Sequence, residues 1–96
     1  MSLIPTYRFR LFVAGDTENS AQAVANLAAI CRTHFGDDYE TEIVDVLDKP
    51  GRALEDHILM TPTLVRLTPT PHRRIVGTLS NTELVLRTIG LEAAAA

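Results

Sequence analysis

One cysteine in 96 residues, Cys31, rules out an internal disulfide, and no Cys-x-x-Cys occurs anywhere. No apolar run approaches the roughly 20 residues of a membrane-spanning helix, and no signal peptide opens the chain. The expected compartment is therefore the cytoplasm. Excess positive charge is missing too. A net charge of −3 argues against a nucleic-acid binder, which normally shows a basic face. His34, His57 and His72 lack ligand spacing, so no metal site is expected. Gly15 and Gly77 form no phosphate-cradling pattern. With 46% hydrophobic and 22% charged residues, the chain reads as one small α/β domain over 1–96. Its core is modest, so association between copies is expected.

The first half has clear periodicity. In Tyr7–Val13, Tyr7, Phe9, Leu11 and Val13 alternate with Arg8 and Arg10, which predicts a strand. Phe12 breaks the alternation and implies cover on both faces near the strand's end. Residues 14–18 form a loop, and Asn19 or Ser20 is placed to cap a helix. Val24, Leu27, Ala28, Cys31 and Phe35 recur at helical spacing, and Gly36-Asp37-Asp38 ends the segment. The apolar end of Glu40–Leu47 suits a buried parallel strand, which completes a βαβ unit with a right-handed crossover.

The second half turns on Ile58–Leu67. Pro62 cannot donate a ladder hydrogen bond, so it belongs at a strand start, and Leu64, Val65 and Leu67 favour a strand after it. An ordinary trans proline is the commoner form of such a start, and a cis Thr61-Pro62 bond, a candidate conformational latch, is the alternative. Asp48-Lys49-Pro50 opens a short helix over 52–57, with Asp48 as its cap. Pro69 and Pro71 mark a turn, and Arg73–Gly77 pairs back as a hairpin. Ser80-Asn81-Thr82-Glu83 spells a capping box. The branched run Leu84–Ile89 that follows would serve as strand or as helix, and such a conflict often marks a functional segment.

The order β-α-β-α-β-β-α is that of a thioredoxin-like fold, three-layered about a small central sheet. A redox site in that fold would lie at residues 14–20, where no cysteine occurs. Cys31 falls on the apolar helix face, and a buried thiol is inert because the thiolate is the reactive form. Ser20 reads as a cap, not a nucleophile, and the residues 37–42 carboxylates read as a solvated rim. No catalytic residue and no cofactor are assigned.

Several short words together resemble the KaiB family. They are Thr6-Tyr7, Val13-Ala14-Gly15, Asn19-Ser20, Asp45-Val46-Leu47, Pro50, Glu55-Asp56, Ile58-Leu59, Thr61-Pro62-Thr63-Leu64, Arg74-Ile75, Gly77 and Leu79-Ser80. The resemblance spans about residues 6–91 without gaps. It implies a non-enzymatic regulator that binds the hexameric ATPase and autokinase KaiC, sequesters KaiA where that exists, and modulates KaiC phosphorylation in a circadian or timing system. It also implies a homotetramer whose C-terminal half is metamorphic, the thioredoxin-like form being the rarer, partner-binding one. In the partner-free chain the segment after Ser80 is then expected to be partly or wholly strand.

By the same resemblance the partner-binding residues are Tyr7, His57, Arg73 and Arg74. The two arginines would meet acidic groups on the KaiC-type ring. The fold-switch segment holds Pro62, Pro69, Pro71, Thr88 and Gly90. Thr88 and Gly90 stand where the family has a glycine and an aspartate. The β-branched Thr88 favours a strand, whereas Gly90 can end a helix. A thioredoxin-like enzyme of the glutathione or thiol type is the competing class. A KaiB-like stress-response protein without a clock is a further alternative.

Overall fold

A computed structural model describes residues 4–89. Strand β1 (Tyr7–Val13) leads to helix α1 (Glu18–His34), strand β2 (Tyr39–Asp45) and the short helix α2 (Pro50–Glu55). Strands β3 (Thr63–Thr68) and β4 (Arg73–Val76) follow, and helix α3 (Thr82–Ile89) closes the order. The four strands form one sheet in the order β2-β1-β3-β4. β1 runs parallel to β2, whereas β3 is antiparallel to both β1 and β4. This is the α/β thioredoxin-like arrangement expected from the element order.

The alternation in β1 divides the core. Phe9, Leu11 and Val13 face α1 and α3, where they pack with Leu27, Ile30, Leu64, Val85 and Ile89. Phe12 points the other way and packs with Val44 and Val65. The sheet is thus covered on both faces at this end, as the break at Phe12 implies. α2 lies over the second face but buries none of its residues.

The α1 stripe is rotated from the expected one. Leu27, Cys31 and Phe35 are buried as expected, but Ser20, Ala23 and Ile30 complete the face, and Val24 is exposed. Ser20 is drawn inside because its Oγ accepts the Ala14 N–H at 3.1 Å. Its hydroxyl is therefore not the cap. Thr17 takes that role, its Oγ1 accepting the Ser20 N–H at 3.3 Å. Gly36, at φ +58°, ends the segment in the left-handed region that glycine adopts freely.

Three further expectations are corrected. β2 runs parallel to β1 as expected, but it lies at the sheet edge with Val44 its single buried residue, so its apolar run is not buried as a whole. α2 starts at Pro50 with Lys49 before it and no side-chain cap, so Asp48 does not cap it. The peptide bonds Thr61-Pro62, Thr68-Pro69 and Thr70-Pro71 are all cis, where the ordinary trans form was expected for Pro62.

After Ser80 the chain is helical over Thr82–Ile89, not strand. Asn81 Oδ1 accepts the Leu84 N–H at 3.1 Å, which satisfies a donor that helix ends leave open. The Ser80 hydroxyl bonds Thr78 Oγ1 at 2.6 Å instead, so the expected capping box is replaced by an asparagine cap one residue later. Val85 and Ile89, one turn apart, both enter the main core. The far end of α3 is held by the buried Arg66, whose guanidinium donates to the carbonyls of Ile89 (3.0 Å) and Pro71 (2.7 Å). Local capping and burial therefore favour helix over the strand propensity of the branched run.

Candidate docking surface

The expected partner-binding residues do not form one patch. Tyr7 is half-buried, and its ring lies 4.3 Å from that of Phe35 and 6.3 Å from that of Phe9, so it serves the core. Arg73 and Arg74 are neighbours on β4, so their side chains leave opposite faces of the sheet. Arg73 shares its face with Ile75, which packs against the main core. Arg74 lies on the α2 side and reaches the chain just after α2. Its guanidinium donates to the backbone carbonyl of Asp56 and, at 3.3 Å, to that of His57. The structure therefore brings His57 and Arg74 together and leaves Tyr7 and Arg73 elsewhere.

Of the fold-switch residues, Pro62 is buried beside β3, while Pro69 and Pro71 sit exposed in the β3–β4 turn. Thr88 lies within α3, where its hydroxyl donates to the Leu84 carbonyl at 2.8 Å. Gly90 lies outside the described residues.

α2 is attached by charge. Arg10 Nε donates to Glu42 Oε1 at 2.7 Å, and Arg10 Nη1 to Asp56 Oδ2 at 3.0 Å. Arg52 adds a contact to Glu42 Oε1 at 3.1 Å. Hydrogen bonds from Arg10 and then Arg52 hold the Glu42 carboxyl below its ordinary range. The four side chains form a connected network across β1, β2 and the C-terminal end of α2. The alternation of Arg8 and Arg10 pointed to a polar strand face, but their partners came from spatial proximity alone.

The stretch that supplies Arg52 and Asp56 to this network also exposes four large apolar side chains that the reading of single residues missed. Leu59 is 94% exposed and Met60 63%, and Leu47 and Leu54 are exposed as well. All four belong to residues 47–60, between the end of β2 and the start of β3. Surface apolar residues scattered singly are normal, but several within one short stretch point to an interaction site. The available signal was Ile58-Leu59-Met60, an apolar run that ends before the strand begins.

The chemistry a thioredoxin-like enzyme needs is not assembled at residues 14–20. Cys31 is fully buried on α1, and burial pushes its thiol up to about 11. Among the described residues no helix is long and apolar enough to cross a membrane, and no group of three acidic, histidine or cysteine side chains could hold a metal ion.

Comparison with known proteins agrees with this picture. The N-terminal domain of Synechococcus elongatus SasA superposes with a TM-score of 0.72 at 19% identity, over 91% of this chain and 86% of that one. Oxidised mitochondrial thioredoxin 3 of Saccharomyces cerevisiae gives 0.71 at 19% identity, over 88% and 77%. At such identities the likeness concerns the fold alone. In sequence, the circadian clock protein KaiB3 of Synechocystis sp. is 48% identical over 83 residues, covering 86% of this chain and 79% of the relative. The circadian clock oscillator protein KaiB of Prochlorococcus marinus is 48% identical over 92 residues, covering 96% and 77%. The KaiB domain profile matches residues 10–91. With the fold, the sequence words and these relatives in agreement, the chain belongs to the KaiB family of circadian clock proteins.

Proposed function

We propose that the protein is a non-enzymatic clock or timing regulator that acts in the cytoplasm. It binds a KaiC-type hexameric ATPase and autokinase, and KaiA where that is present, and shifts the phosphorylation state of the kinase. The observation that carries this reading is the exposed apolar stretch at residues 47–60, in a KaiB-family chain whose relatives include circadian clock proteins. Leu59 and Met60 are the apolar anchors, because removing such exposed side chains from water favours association by about 1.5–3 kcal/mol each when burial is complete. Arg73, exposed on the opposite sheet face, adds charge that steers association more than it holds the complex.

The free protein is a homotetramer with closed symmetry, in exchange with the thioredoxin-like form described above. The support for exchange is Leu84–Ile89, whose branched side chains pair readily as strand when the Asn81 cap and the core contacts of Val85 and Ile89 are given up. A partner that reverses a 1:99 ratio of two forms needs about 5.5 kcal/mol of differential affinity.

The experiment is a phosphorylation time course of the KaiC-type kinase from the same genome, with and without the purified chain. Faster loss of phosphate with the chain present, and no change with the Leu59→Glu variant, supports the reading. An unaltered time course in every mixture refutes it.

A further inference from the structure

α2 ends in a turn that lacks the residue such turns usually take. The Ile58 N–H bonds the Ala53 carbonyl at 2.8 Å, and the His57 N–H bonds the Leu54 carbonyl at 3.2 Å. This is the paired hydrogen-bond pattern in which the residue after the cap is left-handed, and glycine usually occupies it. Here it is His57, at φ +56°. A side chain raises the cost of that conformation, so contacts from outside the turn help the paired hydrogen bonds to hold it.

Burial supplies only part of that support, since no residue of α2 is buried and Ile58, next after the turn, is partly buried against the second core cluster. Polar attachments reach the turn from two strands. The Arg10 guanidinium holds the Asp56 carboxylate at 3.0 Å. Arg74 reaches across from β4 and donates to the carbonyls of both Asp56 and His57, which belong to the two peptide units flanking the left-handed His57. The two residues after Ile58 are Leu59 and Met60, the exposed pair.

We propose that Arg74 is a positioning residue. It fixes the left-handed His57 turn and so presents Leu59 and Met60 to the partner, rather than meeting the partner's charge itself. This rests on the docking reading above. Its chemical basis is the planar fork of the guanidinium, which can serve two carbonyls at once where a lysine ammonium is only a point charge.

The test uses the full chain and the KaiC-type hexamer from the same genome as probe. Association and dissociation rates are measured at low and high salt for the parent, Arg74→Gln, Arg74→Lys and Leu59→Glu. Amide exchange is followed in the free proteins. Both Arg74 variants should weaken binding about ten-fold, as when the competent turn falls to roughly a tenth of the molecules. The salt slope of association should stay at the parental value, because no partner contact is lost. Exchange at residues 57–60 should rise, while β1 and β3 stay protected, which shows that the variants remain folded.

If Arg74→Lys binds like the parent, or if Arg74→Gln flattens the salt slope without faster exchange at 57–60, the proposal is overturned. In that case Arg74 meets partner charge directly. Parental binding by Leu59→Glu overturns the docking reading itself. Loss of binding by Leu59→Glu with parental behaviour of both Arg74 variants overturns the positioning role alone.

Discussion

Cys31 has a thiol with no route to reactivity. It is fully buried against the apolar face of the sheet, and its value of about 11 reflects the cost of placing a thiolate there. An aromatic disulfide reagent at mildly alkaline pH should therefore leave the native protein unmodified and label it fully in denaturant; rapid labelling of the native chain would contradict the burial. Glu42 behaves in the opposite sense. Its folded value is depressed, so its contribution to stability is present above the ordinary glutamate value of about 4.3. That contribution is lost as the pH falls through the lower folded value. Because its side chain is 44% exposed, solvent screening limits the effect, and Glu42→Gln should cost only about 0.5–1 kcal/mol at neutral pH. Urea midpoints across an acid series check this: the variant should lose less stability than the parent on acidification. Residues of this kind were half legible in the sequence. The apolar company of Cys31 at helical spacing already marked it as buried. The partners of Arg10, at sequence distances of 32 and 46, were not, because nothing local encodes them.

At the scale of elements, caps were the weak point of the reading. Thr17, Asn19 and Ser20 all suit the start of α1 chemically, and Ser80 and Asn81 both suit α3. The choice falls on the residue whose side chain meets a free N–H without leaving another polar group unsatisfied. Ser20 has a better use at the Ala14 amide, and Ser80 at Thr78, so Thr17 and Asn81 become the caps. Asn81→Ala should therefore destabilise the protein by about 1 kcal/mol, while Ser80→Ala stays within about 0.5 kcal/mol of the parent. Thermal or urea unfolding of the two variants distinguishes them, and a larger loss for Ser80→Ala would restore the capping box. The α1 stripe shows a related ambiguity. A 3.6-residue period through Leu27, Cys31 and Phe35 admits two flanking rows, and only the packing against β1 and β3 selects Ala23 and Ile30 over Val24 and Ala28. The β2 run misled for a different reason. Ile43 and Leu47 are apolar yet exposed, so the run reads as core when part of it is surface.

For the molecule as a whole, the element order and the family were legible, because strand alternation, proline punctuation and the Thr61-Pro62-Thr63-Leu64 word survive without knowledge of contacts. The exposed apolar positions of residues 47–60 were not. Their exposure depends on how α2 and the His57 turn lie on the sheet, beside the Arg10, Glu42, Arg52 and Asp56 network. The helix after Ser80, where strand was expected for the partner-free chain, was hidden for a similar reason. Leu84–Ile89 satisfies two local codes, and its tertiary contacts decide between them. The central claim is that this surface receives a KaiC-type ATPase. The most direct measurement is sedimentation of the full chain mixed with the KaiC-type hexamer from the same genome, alongside the Leu59→Glu variant. The chain should move with the hexamer, and Leu59→Glu should sediment alone. Separate migration of the parent chain and the hexamer, or equal binding by Leu59→Glu, would contradict the account.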